Sequence, residues 1–181
     1  MTSFRQFLGD QRGTASIEFI FVVPIVMLIF TASFESSLFM ARHVMLERSV
    51  DIVVRDIRLG KLDGLTHAQL KRRICETSAL VGSVSGCVDA MRIWMQPINT
   101  ADFAMVAPPR GCVDKSAPVS TAEPPASEFR FGSDNEIMLL RICLKEEPMF
   151  PTTVVGAELI RDETDGNYAL LTTSVFVNEP G

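Results

Sequence analysis

The strongest constraint on the fold of this chain is an apolar block close to its N-terminus. Residues 19–34 carry no charged side chain, and the longer span from Thr14 to Phe34 contains only one, that of Glu18. As a helix with a rise of about 1.5 Å per residue, this span covers about 31 Å, the thickness of a bilayer core. The block therefore predicts a helix that crosses a membrane.

The charges on either side of the block predict its orientation. Arg5 and Arg12 precede it and Glu35 follows it, which favours a cytoplasmic N-terminus. Arg42 and Arg48 on the far side weaken this asymmetry without reversing it. We expect a single-pass membrane protein whose C-terminal part lies on the side opposite the cytoplasm.

Helical periodicity continues beyond the apolar block. Apolar residues recur at helical spacing and charged residues lie off this stripe, whose members are Leu46, Val50, Val53, Val54 and Ile57. Gly60 is predicted to end the helix, and Pro24, which lacks a backbone N–H, can kink it. We predict one helix over residues 14–59, with 14–35 in the membrane and 36–59 amphipathic outside it.

Residues 60–181 are predicted to form a small α+β domain on the far side of the membrane. A second helix is expected over residues 66–80, because Thr66 and Gln69 have capping-box spacing. The Gly/Ser-rich stretch that follows, residues 82–86, is predicted to be a flexible turn.

The second half of the domain is predicted to be an antiparallel sheet of about three strands. Apolar and β-branched runs place these strands at Val88–Met95, Glu136–Glu147 and Tyr168–Val177. A Pro-rich loop over residues 97–128 separates the first two strands. One face of the sheet is expected to pack on the amphipathic half of the long helix, and Trp94 is expected in the core.

All four cysteines follow the apolar block, and none forms a C-x-x-C pair. An even number of cysteines beyond a membrane anchor predicts two disulfides in an oxidising compartment, with four buried free thiols as the alternative. The favoured pairing is Cys75–Cys87 with Cys112–Cys143, because each bond closes a local loop. The competing pairing is Cys75–Cys143 with Cys87–Cys112, which would join helix to sheet.

The composition argues against several other classes of function. A net charge of -5 disfavours a general affinity for nucleic acid. The only histidines, His43 and His67, are both expected to be exposed, and we predict neither a zinc site nor a cofactor. The sequence contains no glycine-rich phosphate loop, and its one candidate nucleophile elbow has Val84 at the central position. We therefore expect a protein that is not an enzyme.

The start of the apolar block contains an unusual acidic residue. An acid at the centre of a membrane helix costs about 2.5 to 3.5 kcal/mol, although Glu18 lies nearer the interface. Cleavage after Gly13 would give Thr14 a free, largely cationic α-amino group. Glu18 would then lie near the positive end of the helix dipole and could pair with the amine of a neighbouring subunit.

The run Arg12-Gly13-Thr14-Ala15-Ser16-Ile17-Glu18-Phe19 resembles a type IV prepilin processing site, with glycine before the cut, glutamate at the fifth mature position and an aromatic residue at the sixth. Together with Pro24 and Glu35, it is similar to the TadE-like pseudopilins of tight-adherence pili. Residues 171–180 also resemble the terminal strand and Phe-x-Asn-Glu-Pro ending of that family. The chain departs from the family in having Phe19 in place of tyrosine and a terminal Gly181 in place of an aromatic residue.

The resemblance implies a minor pseudopilin of a tight-adherence type IV pilus assembly system in the bacterial inner membrane, with a periplasmic domain. Residues 1–13 would be a leader removed by a prepilin peptidase, and other partners would be pilin subunits and the assembly platform. Glu18, Pro24 and Glu35 would serve membrane assembly, Glu35 being either a solvated boundary residue or a partner for a neighbour's basic group. The alternative function is a membrane-anchored periplasmic binding module, not processed as a pilin, that uses the Pro-rich loop for recognition.

Overall fold

The computed structural model describes residues 14–62, 64–78, 83–102, 106–109, 111–113, 115, 124–160 and 165–179. The predicted leader 1–13, with Gly13, and the terminal Pro180 and Gly181 lie outside the described residues. The elements follow in the order α1 Thr14–Arg58, α2 His67–Thr77, α3 Val84–Ala90, β1 Met91–Ile98, β2 Ile137–Glu146, α4 Val154–Leu159 and β3 Tyr168–Val177.

Helix α1 is a single element of 45 residues that continues through Pro24. It ends at Arg58, and the predicted stop, Gly60, follows two residues later. Gly60 adopts a φ of 66°, a conformation that costs glycine little. The Gly60 N–H donates to the carbonyl of Ile57 at 2.9 Å, and the Lys61 N–H donates to that of Asp56 at 3.1 Å. These two bonds satisfy carbonyls at the end of the helix, as in a Schellman motif.

Helix α2 has the predicted capping box but is shorter than predicted. The Thr66 side chain accepts from the Gln69 N–H, and the Gln69 side chain accepts from the Thr66 N–H. The helix ends at Thr77, whereas the prediction extended to residue 80. Leu70, Ile74 and Cys75 form its buried side.

The prediction for residues 83–90 was wrong, while residue 82 lies outside the described residues. Val84–Ala90 form the short helix α3, where the sequence suggested a flexible turn and the start of a strand. The Ser83 side chain caps this helix by accepting the Gly86 N–H at 3.2 Å, and Cys87 and Ala90 are buried. A cap and tertiary burial thus outweigh the weak helix propensity of the Gly/Ser-rich stretch.

The three strands form one antiparallel sheet in the order β1-β2-β3, with β2 in the centre. Strand β3 has the predicted bounds, and β2 lies within its predicted range. Strand β1 starts at Met91, later than predicted, and extends through Pro97 to Ile98. The Pro-rich loop therefore begins after Ile98 and not at residue 97. The α+β fold class is confirmed.

The core lies between α1 and one face of the sheet, as predicted. The apolar stripe of α1 is buried, with Leu46 and Val53 fully enclosed. Alternate strand residues face it, which is expected from the period of two in a pleated strand. The sheet side consists of Met91, Ile93, Met95, Met138, Leu140, Ile142, Leu144, Tyr168, Leu170 and Phe176.

The opposite face of the sheet is partly covered by the Pro-rich loop. Trp94, which is buried as expected, shares a small cavity on this face with Pro109 and Gly111 of the loop. Arg92 pairs with Glu128 at 2.8 Å, which joins β1 to the end of the loop. The loop is thus held on the sheet by specific contacts.

The cysteines form two disulfides in the pairing that the sequence favours. Cys75 is bonded to Cys87, with a Cα–Cα distance of 5.9 Å, and joins α2 to α3. Cys112 is bonded to Cys143, with a Cα–Cα distance of 5.4 Å, and joins the Pro-rich loop to β2. On the chain-entropy model these bonds contribute about 3 and about 3.5 kcal/mol.

Candidate functional site: the apolar helix and its junction with the domain

The first half of α1 exposes apolar side chains all the way around. The most apolar stretch of 18 residues has a mean hydropathy of 2.4, and none of it is buried inside the protein. Phe19, Phe21 and Ile25 are typical, each with well over half of its surface exposed. A helix with this length and this apolar exposure is long and apolar enough to cross a membrane, which suggests membrane anchoring.

Two hydroxyl side chains in this part of α1 are bonded to the backbone of the helix. The Thr31 hydroxyl donates to the carbonyl of Met27 at 2.9 Å, and the Ser37 hydroxyl donates to that of Ser33 at 2.8 Å. Both patterns remove a donor from contact with lipid. The helix can therefore cross a bilayer despite containing several hydroxyl groups.

Three of the predicted processing residues, Thr14, Glu18 and Phe19, lie in the first two turns of this helix. Helix α1 begins at Thr14, and the side chains of Glu18 and Phe19 are exposed within its first two turns. Pro24 follows at a position where α1 remains helical. The described part of this segment thus presents Glu18 outward, where another subunit or an enzyme can reach it.

Glu35 does not have either of the roles expected from the sequence. It is fully buried, and its carboxylate accepts hydrogen bonds from the backbone N–H groups of Met149 and Phe150 at 3.2 and 2.9 Å. Glu35 is therefore neither a solvated boundary residue nor a free partner for a neighbour's basic group. It binds the connection between β2 and β3 to the last turn of the apolar segment.

Arg42 makes a second link between α1 and the same region. Its guanidinium donates to the carbonyl of Glu147 at 2.9 Å and to the hydroxyl of buried Tyr168, and it lies 3.9 Å from the Glu146 carboxylate. Burial raises the pKa of Glu146 above its usual range, against the opposing charges of Arg42 and Lys115. Burial also raises the pKa of Tyr168, and the hydrogen bond from Arg42 opposes that shift.

The sequence of the helix that carries these residues has recognisable relatives. Residues 13–55 match the family model of TadE-like protein. This match confirms the predicted resemblance for the apolar half of α1 and most of the amphipathic half. No curated protein and no solved structure matches the chain.

The TadE-like match ends before the C-terminal motif, whose residues the structure places against α1 and the sheet. Glu179 forms an ion pair with Arg58, the last residue of α1, at 2.7 Å. The Asn178 N–H donates to the carbonyl of Glu136, and its side-chain amide donates to that of Gly132. The Asn-Glu pair thus fixes the end of β3 to the loop before β2 and to the end of the TadE-like helix.

A buried ion pair holds the Pro-rich loop at the other end of the sheet. Lys145 of β2 and Asp165 are each 3% exposed and form a direct hydrogen bond. Burial opposes ionisation of Asp165, but hydrogen bonds from Lys145 and from the N–H groups of Asn167 and Lys115 outweigh it and hold the pKa of Asp165 below its usual range. Since Lys115 belongs to the loop, this cluster joins loop, strand and turn.

The two histidines were predicted to be exposed, but both are partly buried. His43 is partly buried, and its Nε2 lies 3.0 Å from the carbonyl oxygen of Leu171 on β3. His67 is also partly buried, with its ring edge-on to that of Phe129 at a centroid distance of 5.1 Å. Within the described residues, no group of His, Cys, Asp and Glu side chains is arranged to hold a metal ion.

Sequence reasoning missed the contacts of Arg42, Tyr168, Lys145 and Asp165. A partial signal was available for Lys145, because it is charged and lies inside a predicted strand. Arg42 gave no such signal, since it lies on the helix next to an expected membrane boundary, where cationic side chains are common.

Proposed function

We propose that this protein is a pilin-like minor pseudopilin of a tight-adherence type IV pilus assembly system. A prepilin peptidase removes its leader after Gly13, and the mature chain stays in the bacterial inner membrane with its disulfide-bonded domain in the periplasm. Its role is structural, in contact with other pilin subunits and the assembly platform. The observation that carries this proposal is the TadE-like match over residues 13–55, which coincides with an exposed apolar helix.

The exposed position of Glu18 supports subunit contact through the membrane helix. A carboxylate in lipid is costly unless it is paired, and the amine created at Thr14 by cleavage is a suitable cation. Glu35 is not available for this purpose, because its own domain already occupies both carboxylate oxygens. Intersubunit pairing through an acid of α1 is therefore assigned to Glu18.

The processing experiment compares two glycines of the predicted leader. Gly13→Val places a β-branched side chain at the scissile position and should block cleavage. Gly9→Val introduces the same side chain away from that position and should leave cleavage intact. Intact-mass spectrometry of protein isolated from cells with an active prepilin peptidase should find Thr14 as the N-terminus of the parent and of Gly9→Val.

A parent protein that retains residues 1–13 in such cells contradicts the pilin-like proposal. That result favours the membrane-anchored periplasmic binding module, which has no use for processing at Gly13. The orientation is tested separately by a reporter fused after Gly181 that is active only in the periplasm. Activity seen only from a cytoplasmic reporter at this position contradicts the proposed topology.

A further inference from the structure

The connection between β2 and β3 contains an uncharged surface segment. Residues 148–157, which we call the junction loop, carry no charge and lie between Glu147 and Glu158. Two of its apolar side chains are strongly exposed, Met149 at 56% and Val154 at 71%. Exposed apolar side chains grouped in an uncharged segment indicate a contact surface.

The junction loop lies at the level where the apolar half of α1 ends. The Phe150 ring packs edge-on against that of Phe34 at a centroid distance of 6.1 Å. The carboxylate of Glu35 binds the adjacent N–H groups of Met149 and Phe150. From Thr14 to Glu35 the helix rises about 31 Å, so these contacts lie at the far boundary of the hydrocarbon core.

The backbone donors of the junction loop are largely satisfied inside the protein. Pro148 and Pro151 have no N–H, and the N–H groups of Met149 and Phe150 are bonded to Glu35. The Thr153 N–H donates to the carbonyl of Phe150, the Thr153 hydroxyl accepts the N–H of Gly156, and the Thr153 carbonyl accepts that of Ala157. Pairing most of these donors inside the protein lowers the cost of contact with lipid.

A groove next to the junction loop is lined mainly by apolar side chains. An open groove of about 530 Å³ runs between α4 and β3, and its walls include Phe39, Val154, Leu159 and Leu171. Among the described residues, Glu158 is the one charged residue in the lining of this groove, which Val154 shares with the junction loop and Phe39 with α1.

We propose that the junction loop is a second membrane contact, in which Met149 and Val154 insert into the boundary between lipid headgroups and acyl chains. The partner is the lipid surface on the periplasmic side, and contact with it fixes the domain against the membrane. This inference rests on the membrane anchoring in the proposed function, and not on leader processing or on pilus assembly.

The test measures tryptophan quenching in the full-length chain reconstituted in nanodiscs of brominated phosphatidylcholine. Val154→Trp reports on the junction loop, and Met149→Trp serves if that variant does not fold. Val175→Trp is the matched control, because Val175 is also exposed, at 59%. It lies about 23 Å along β3 from Tyr168, at about 3.3 Å per residue. Ile25→Trp reports on anchoring, and native Trp94, which is buried, gives a constant background.

Contact at the interface reaches about 5–10 Å into the boundary between headgroups and acyl chains. The emission added by Trp at residue 154 should therefore be lost with bromines near the top of the acyl chains, and less so with bromines near their ends. Emission added at residue 175 should be unaffected by either lipid.

Equal quenching at residues 154 and 175 overturns the proposal. The proposal also fails if the Val154→Trp fluorescence is quenched neither by aqueous iodide nor by the brominated lipid. That result would indicate a second copy of the chain as the partner. If Trp at residue 25 is not quenched, the helix is not in the bilayer and the anchoring itself fails. A defect in leader cleavage would leave all of these readings unchanged.

Discussion

Replacing Glu35 should release the junction loop from α1 without unfolding the domain. In Glu35→Ala, the N–H groups of Met149 and Phe150 lose the carboxylate oxygens that now accept from them at 3.2 and 2.9 Å. Glu35→Gln keeps a single acceptor oxygen and directs an NH₂ group at the second donor. The alanine variant should therefore free both amides, and the glutamine variant should free one.

The magnitude follows from the net contribution of a hydrogen bond to a charged group, about 1.5–3 kcal/mol for each bond. Taking about 2 kcal/mol per amide, and a factor of ten for every 1.4 kcal/mol, the exchange of each released amide should accelerate about 30-fold. The effect should remain local, because the core between α1 and the sheet contains neither the loop nor Glu35.

Residue-resolved hydrogen exchange of the full chain in nanodiscs measures this effect directly. The matched control is Glu47→Gln, which changes an exposed glutamate of the same helix that pairs only with the side chain of His43 among the described residues. The control should leave exchange at Met149 and Phe150 unchanged. Unchanged exchange at both amides in Glu35→Ala would show that the carboxylate does not hold the loop.

Two further predictions concern the attachment of the Pro-rich loop, both read from the fluorescence of Trp94 during urea unfolding in detergent. Because the folded-state pKa of Asp165 is lowered, the ion pair with Lys145 stabilises the domain above about pH 4 and loses this effect as the pH falls through the lowered pKa. Asp165→Asn should therefore lower the unfolding free energy by about 3–5 kcal/mol at pH 7 and flatten its dependence on acid pH. An Asp165→Asn variant as stable as the parent would refute this prediction. Replacing Cys112 and Cys143 together by serine should lower the unfolding free energy by about 3.5 kcal/mol, and peptide mapping of the non-reduced parent that yields other cysteine pairs would contradict the assignment.

The long helix and the final strand could be predicted because periodicity alone determines them. The stripe from Leu46 to Ile57 recurs at helical spacing over several turns, and Tyr168–Val177 is rich in β-branched residues. The capping box of Thr66 and the stop at Gly60 are local signals of similar strength, since each acts within four residues of the chain. In these places local preference and tertiary packing agree.

The role of Glu35 could not be predicted, because periodicity indicates which side of a helix is buried and not which distant segment covers it. Its partners are residues 149 and 150, more than a hundred positions along the chain. The prediction of the segment that forms α3 was wrong for a related reason. Its capping by Ser83 is local, but its stability also depends on burial of Cys87 and on the bond to Cys75, which the sequence of the segment does not reveal.

The way in which the domain is attached to α1 determines how motion passes between them. A Gly/Ser linker would separate the orientation of the domain from that of the membrane helix, but α1 is continuous from the apolar half into the core at Leu46. Glu35 binds the connection between β2 and β3, Arg42 binds Glu147 next to the end of β2, and Arg58 binds Glu179 at the end of the helix. A rotation of the helix in the membrane is therefore carried to the domain as a rigid body. In the proposed assembly, contacts of neighbouring subunits with the exposed apolar half would consequently set the direction in which the sheet and the junction loop face.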